Sequence, residues 1–306
     1  MGDVLQGIHA TWEFESDSVL IRFERGIRTP KLFQALGERR IPHEALSSVT
    51  LTPGRRGTVV LHAVPRAGAD PLAEAAAGQL RASGDPYRLV LPAERETLAE
   101  YYADELRAAL ARVRVTGAGI GAGGIRDEQE PAERYLVTAP EPPLQFKAYD
   151  AKASFDGDRV SFRWFWTGAS SAKWKAGDQS LQVGELQGVE WRSPELFNGY
   201  LRLLRREGPG SAQGQPALAD HDPAAVVFGL GYGPVHESLP FAAAVLEAVQ
   251  GAATGRAAVP VHAVVPARRD PAEVAERIRH LGELHSAGLV TDDEFSAKKA
   301  ELLAEL

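Results

Sequence analysis

Gly119, Gly121 and Gly124 stand in the spacing of a dinucleotide-binding glycine fingerprint. That fingerprint holds a pyrophosphate only where a strand precedes it and a helix N-terminus follows, so that backbone N–H groups converge on the phosphates. Here a helical pattern precedes the glycines and Arg126-Asp127-Glu128-Gln129-Glu130-Pro131 follows them, the composition of a linker. Asp220-His221-Asp222 offers oxygen and nitrogen donors, but adjacent loop residues seldom converge on one ion, and the stretch reads as a solvated loop. His280 and His285 miss the i, i+4 spacing that would put two ligands on one helix face. The chain has no cysteine, which removes thiolate nucleophiles, thiolate metal sites and disulfides. No Gly-x-Ser-x-Gly elbow is present either. These residues predict no catalytic group, no metal and no cofactor; the expectation is a protein that binds and is not an enzyme.

Two other stretches are suited to binding. Arg22, Arg25, Arg28, Lys31, Arg39 and Arg40 lie close together, opposed only by Glu24 and Glu38, so they predict a positive patch on a chain of net charge −7. About 140 residues later the corresponding region reads Arg163-Trp164-Phe165-Trp166 and then Lys173-Trp174-Lys175. Strand alternation predicts Phe162, Trp164 and Trp166 inward, with Phe165 outward beside Arg163. Trp174, between lysines in a turn-like stretch, is open to two readings: a contact ring, or a ring folded back on the core. The candidate ligand-binding set is therefore Arg22, Arg25, Arg28, Lys31, Arg39, Arg40, Arg163, Phe165, Lys173, Trp174 and Lys175.

The elements that must position these residues occur twice. Phe14-Glu15-Ser16-Asp17-Ser18-Val19 recurs as Phe155-Asp156-Gly157-Asp158-Arg159-Val160, and Ile41, Leu46 and Val49 recur as Leu181, Leu186 and Val189. A spacing that drifts by only a few residues means one fold used twice, with length changes in loops. In the first copy residues 8 to 15 and 19 to 25 read as a hairpin, followed by strands at Ile41 to Leu51, Thr58 to Val64 and Tyr87 to Leu91. Glu96 to Val113 then carries apolar residues at helical spacing. The second copy repeats this with a hairpin at 151 to 167, strands near 180 to 191, 199 to 205 and 224 to 230, and a helix at about 239 to 250. Such elements predict an α+β, mostly β fold of two antiparallel barrels, each capped by a C-terminal helix. The boundaries read as 1–114 for the first repeat, 115–145 for a Gly, Pro and acid-rich linker, 146–250 for the second repeat, 251–269 for another linker and 270–306 for a tail.

The tail reads as a helical hairpin. Asp270-Pro271 is an N-cap and first-turn proline, Val274, Ile278, Leu281 and Leu284 make one apolar stripe, and Gly288 stops it. Thr291-Asp292-Asp293-Glu294 is a capping box that opens a second helix. A unit this short must lean on something, and the expectation is another copy of itself through Val274, Ile278, Leu281, Leu284, Leu289, Phe295, Leu302 and Leu303.

The order of hairpin, Ile41-Pro42-x-x-x-Leu46-x-x-Val49, Gly57-led strand and final helix resembles bacterial pleckstrin-homology (PH)-like domains. The tandem arrangement resembles an uncharacterised bacterial family built of two such units. Leu281-x-x-Leu284-His285-x-Ala287-Gly288-Leu289-Val290-Thr291-x-x-Glu294-Phe295-x-x-Lys298-Lys299-x-x-Leu302-Leu303 is similar to SHOCT, a short C-terminal domain. These resemblances imply binding and self-association, with the loops near the first strands holding anionic headgroups or peptides. The partners expected are a second copy of the chain and an unidentified protein or peptide, or alternatively an anionic membrane surface in a peripheral adaptor. The negative charge argues against nucleic acid. With no cysteine, no leader-like start and no run approaching a membrane span, the expected location is the cytoplasm or the periphery of a membrane.

Overall fold

A computed structural model describes residues 3–117, 130–206, 218–229 and 234–255, all within the compact unit Met1–Arg256. The glycine fingerprint, the 270–306 hairpin and all of its candidate residues lie outside the described residues.

In the first copy, β1 (Asp3–Gln6), β2 (Ala10–Phe14), β3 (Ser18–Phe23) and β4 (Glu38–Pro42) form an antiparallel sheet in sequence order, and α1 (Lys31–Leu36) sits between its last two strands. A 3₁₀ turn at His43–Ala45 carries the chain into a second antiparallel sheet of β5 (Leu46–Pro53), β6 (Thr58–Pro65) and β7 (Arg88–Pro92). The helix α2 (Pro71–Ala76) joins its last two strands, and α3 (Glu96–Gly117) ends the copy. The second copy runs β8 (Leu144–Lys147), β9 (Ala151–Phe155), β10 (Arg159–Trp164), α4 (Ser171–Ala176) and β11 (Gln179–Gln182), again as a four-stranded sheet. Then come β12 (Leu186–Arg192), β13 (Tyr200–Arg205) and β14 (Ala225–Val227) as a three-stranded sheet, and finally α5 (Val235–Ala253).

The duplication is visible in single hydrogen bonds. His43 N donates to Asp17 O and Val183 N to Asp158 O, both at 2.8 Å. Each long hairpin also has its register irregularity at the matching place, between Leu46 and Ser48 in one copy and between Leu186 and Gly188 in the other. The cores conserve volume by exchange across strands: Trp12 faces Ile21 in the first copy, whereas Ala153 faces Phe162 in the second.

The expected barrels are not closed by strand pairing. Among the described residues the sheets remain separate, four strands and three in each copy, joined at matching seams where Ile8 N donates to Val90 O and Tyr149 N to Val227 O. The single strand expected over Ile41 to Leu51 is instead β4, the 3₁₀ turn and β5, because the chain must turn there to change sheets. No helix among the described residues is long and apolar enough to cross a membrane.

The two C-terminal helices occupy matching sequence positions but different environments. α3 exposes Glu100, Tyr101, Asp104 and Glu105, whereas α5 buries Leu239, Phe241, Ala242, Ala243, Val245 and Val249. A helix apolar on every side needs cover on every side. α5 finds it by packing on β8 and β12 of its own copy and on α1 and α2 of the other. Gln79 adds a polar clamp, donating to Trp191 O and accepting from Ser193 N, both at 2.9 Å. The two copies thus share one contiguous apolar core. The described part of the expected linker, from 130, is packed as well: Val137 and Ala139 are buried, and Tyr135 N and Ala139 N donate to Gln250 and Glu247 of α5.

Candidate functional site

The six cations of the first-copy patch separate into three groups. Arg22 on β3 is held by Glu13 and Glu38 on the flanking strands, and Arg40 by Glu15 and Ser18. Arg39 is not at the surface at all, which corrects its reading as a ligand-binding residue. Alternation along β4 sends Glu38 and Arg40 outward and turns Arg39 inward beside Ile41. There Arg39 meets Asp70 at 2.7 Å, with the Tyr87 ring 5.9 Å away. Asp70 also caps α2, accepting from Leu72 N and Ala73 N, and accepts a hydrogen bond from the Tyr87 hydroxyl. Burial and the neighbouring Asp70 charge hold the Tyr87 phenol well above its usual range.

Arg25, Arg28 and Lys31 remain exposed, and none makes an ion pair among the described residues. They lie in and just after the β3–α1 loop. That loop is internally braced: Gln34 donates its amide to Gly26 O and Thr29 O, and Thr29 N donates to Gly26 O. Glu24 N bonds His9 O at 2.9 Å, fastening the loop to the β1–β2 turn. Between Gly26 and Arg28 stands Ile27, whose relative exposure is 106%. Sequence reasoning missed it. The only signal was an aliphatic side chain with no periodic partner inside a run of cations.

The second copy presents rings at the matching place. Phe162 and Trp164 are buried as alternation requires, but Trp166 is 40% exposed because β10 ends at Trp164 and alternation ends with it. Phe165 and Arg163 are half-buried, and Lys175 is exposed. Lys173 is fully buried, which corrects its reading as a surface cation: α4 turns it inward, where Nζ meets Asp150 Oδ2 at 2.6 Å and lies 5.1 Å from the Trp164 ring. Asp150 also accepts from Val227 N at 2.9 Å. Burial nonetheless pushes its carboxyl above the usual range, with Lys173 and the Val227 amide pulling it back.

Trp174 lies on α4, not in a turn, half-buried against the core and edge-on to Trp166 with centroids 4.8 Å apart. Replacing it with alanine is expected to cost about 2 kcal/mol, near half the value of a fully buried aromatic. Urea unfolding reads this directly; a change below about 0.5 kcal/mol would mean the ring does not pack and is free for contact.

Asp222 of the Asp-His-Asp stretch is engaged structurally, accepting from Arg202 Nε at 2.9 Å and from Ala224 N at 2.8 Å. A groove of 560 Å³ runs between the copies, lined by Lys31, Leu80, Pro194 and His236 and by the ion pair of Arg81 with Glu195.

The fold and its loops define a class: a duplicated, mostly β module whose copies share a core and present different side chains from matching loops. The chain belongs to the family described as a domain of unknown function, DUF4429, whose profile matches twice, at residues 12–107 and 153–246. A short C-terminal domain, SHOCT, matches at 276–303. No curated protein matches the chain.

Proposed function

We propose that this protein is a non-enzymatic binding scaffold, in which two PH-like modules are fused into one body and a SHOCT tail brings bodies together. The PH-like reading is supported by seven strands in a four-plus-three order followed by a terminal helix, in each copy. The observation that carries a binding role is the matching pair of loops after the third strand of each copy. Both are braced by their own hydrogen bonds, and in or just after them they present exposed side chains: Arg25, Ile27, Arg28 and Lys31 in one copy, Trp166 and Lys175 in the other. Self-association rests on the match at 276–303 and on the apolar stripe there.

Deleting 257–306 is expected to lower the mass of the assembly while leaving the Met1–Arg256 unit folded, since that unit is compact by itself. Light scattering with circular dichroism checks this. The same subunit number with and without the tail would refute self-association through it. A second reading, a peripheral adaptor on anionic lipid, is favoured by one observation: the exposed aliphatic side chain of Ile27 in a loop whose cations make no ion pair among the described residues.

A further inference from the structure

We infer that the β3–α1 loop of the first copy is a membrane-docking tip, which seats Ile27 among the acyl chains of an anionic bilayer while Arg25, Arg28 and Lys31 meet the headgroups. This deepens the second reading above and does not depend on the tail. Ile27 is as exposed as a side chain can be, so nothing in the described fold gains from its being apolar. In and just after its loop stand three exposed cations without ion pairs among the described residues, against one exposed acid, Glu24, on a chain whose net charge is −7. Charge complementarity therefore selects an anionic partner locally although the protein as a whole repels one.

Shape selects a lipid surface over an acidic protein. A protein partner gains most from a concave site that surrounds its anchor, whereas Ile27 is fully exposed and Arg25 and Arg28 stand within two residues of it in the same loop. A fluid interface accommodates such a protruding tip, and polybasic segments beside apolar anchors suit anionic leaflets. The braces from Gln34 and His9 hold the loop in place, so little order need be gained on docking. Ile8, 42% exposed, stands in the turn to which the loop is bonded and adds apolar surface beside it.

The test is co-sedimentation of the full chain with vesicles of phosphatidylcholine containing about a quarter phosphatidylserine, against phosphatidylcholine alone. Anionic vesicles are expected to bind at least roughly tenfold more protein, and the triple variant Arg25→Glu, Arg28→Glu, Lys31→Glu to lose that excess. Ile27→Ser is expected to bind several-fold more weakly by an amount that salt hardly changes, whereas the charge contribution shrinks as the Debye length falls from about 8 Å towards 3 Å. All of these positions are exposed, so melting temperatures should stay near wild type and report folding independently. Equal binding to neutral and anionic vesicles, or Ile27→Ser indistinguishable from wild type, would overturn the inference. Retention on immobilised polyglutamate with none on vesicles would assign the loop to an acidic protein instead and would also overturn it. Failure of tail self-association shows in light scattering without lipid and leaves the ratios between loop variants readable.

Discussion

Replacing Asp70 with alanine is expected to destabilise the core unit by about 3–5 kcal/mol, because it leaves Arg39 charged and enclosed without its ion-pair partner. Arg39 has a side-chain exposure of 3% and a guanidinium that cannot shed its proton to escape. The same substitution removes the acceptor of the buried Tyr87 hydroxyl and the N-cap of α2, whose loss adds about 1 kcal/mol. Asp70→Asn separates these effects. It keeps one oxygen, which at the place of Oδ2 still accepts from Ala73 N and the Tyr87 hydroxyl, but deletes the charge and turns an NH2 towards Arg39 and Leu72 N, so it should be milder than alanine by only part of the capping contribution. Equilibrium unfolding in urea measures both. A cost below about 1 kcal/mol for Asp70→Ala would show that water reaches Arg39 and that the pair is not enclosed. Since α2 packs on α5 of the other copy, both copies should unfold in one transition.

Lys173→Met is expected to cost about 3–5 kcal/mol near pH 7.5 and much less near pH 4.5. Burial already holds the Asp150 carboxyl above its usual range in the fold, and the ammonium of Lys173 is what opposes that shift. Without the lysine the folded value rises further above the unfolded one of about 3.9. An acid whose folded pKa is raised binds more protons folded than unfolded across that interval, so stability falls as pH rises through it. The variant should therefore be strongest at acid pH and weaken on the way to neutrality, with the gap to wild type widening. Adding Asp150→Asn removes the second charge, keeps an acceptor for Val227 N and should restore most of the loss. A gap equal at both pH values would rule out an enclosed Asp150 carboxylate as its cause.

The contrast between these two pairs and the loop cations marks what could be read in the chain alone. The duplication, the hairpin at Phe14 to Ser18 and its counterpart, and the helix that ends each copy follow from local pattern, because strand and helix periods and turn residues act over a few neighbours. The apolar run from Leu239 to Leu246 stands in the sequence, but its burial on every side, against both copies, was not read from it. The short helices α1, α2 and α4 were missed because a six-residue helix is held by tertiary contacts more than by its own propensity. Arg39 looked like Arg40 because the strand was read only from Ile41 onward, so the alternation that puts Arg39 in phase with Ile41 went unused, and Lys173 looked like Lys175 because the short helix that carries both was missed. Their partners, Asp70 and Asp150, lie 31 and 23 residues away along the chain.

Sequence by itself determined that one mostly β module is used twice, and that the cationic stretch of the first copy corresponds to an aromatic stretch in the second. Tertiary structure alone decided which cations are enclosed, which pair across strands, and which stay exposed in the loop that carries Ile27. It also made α5 the shared core of both copies and drew the second half of the linker across it. The physical reason is distance along the chain: burial and ion pairing are set by groups brought together from remote segments, and one residue of strand register is enough to exchange a surface arginine for a buried one.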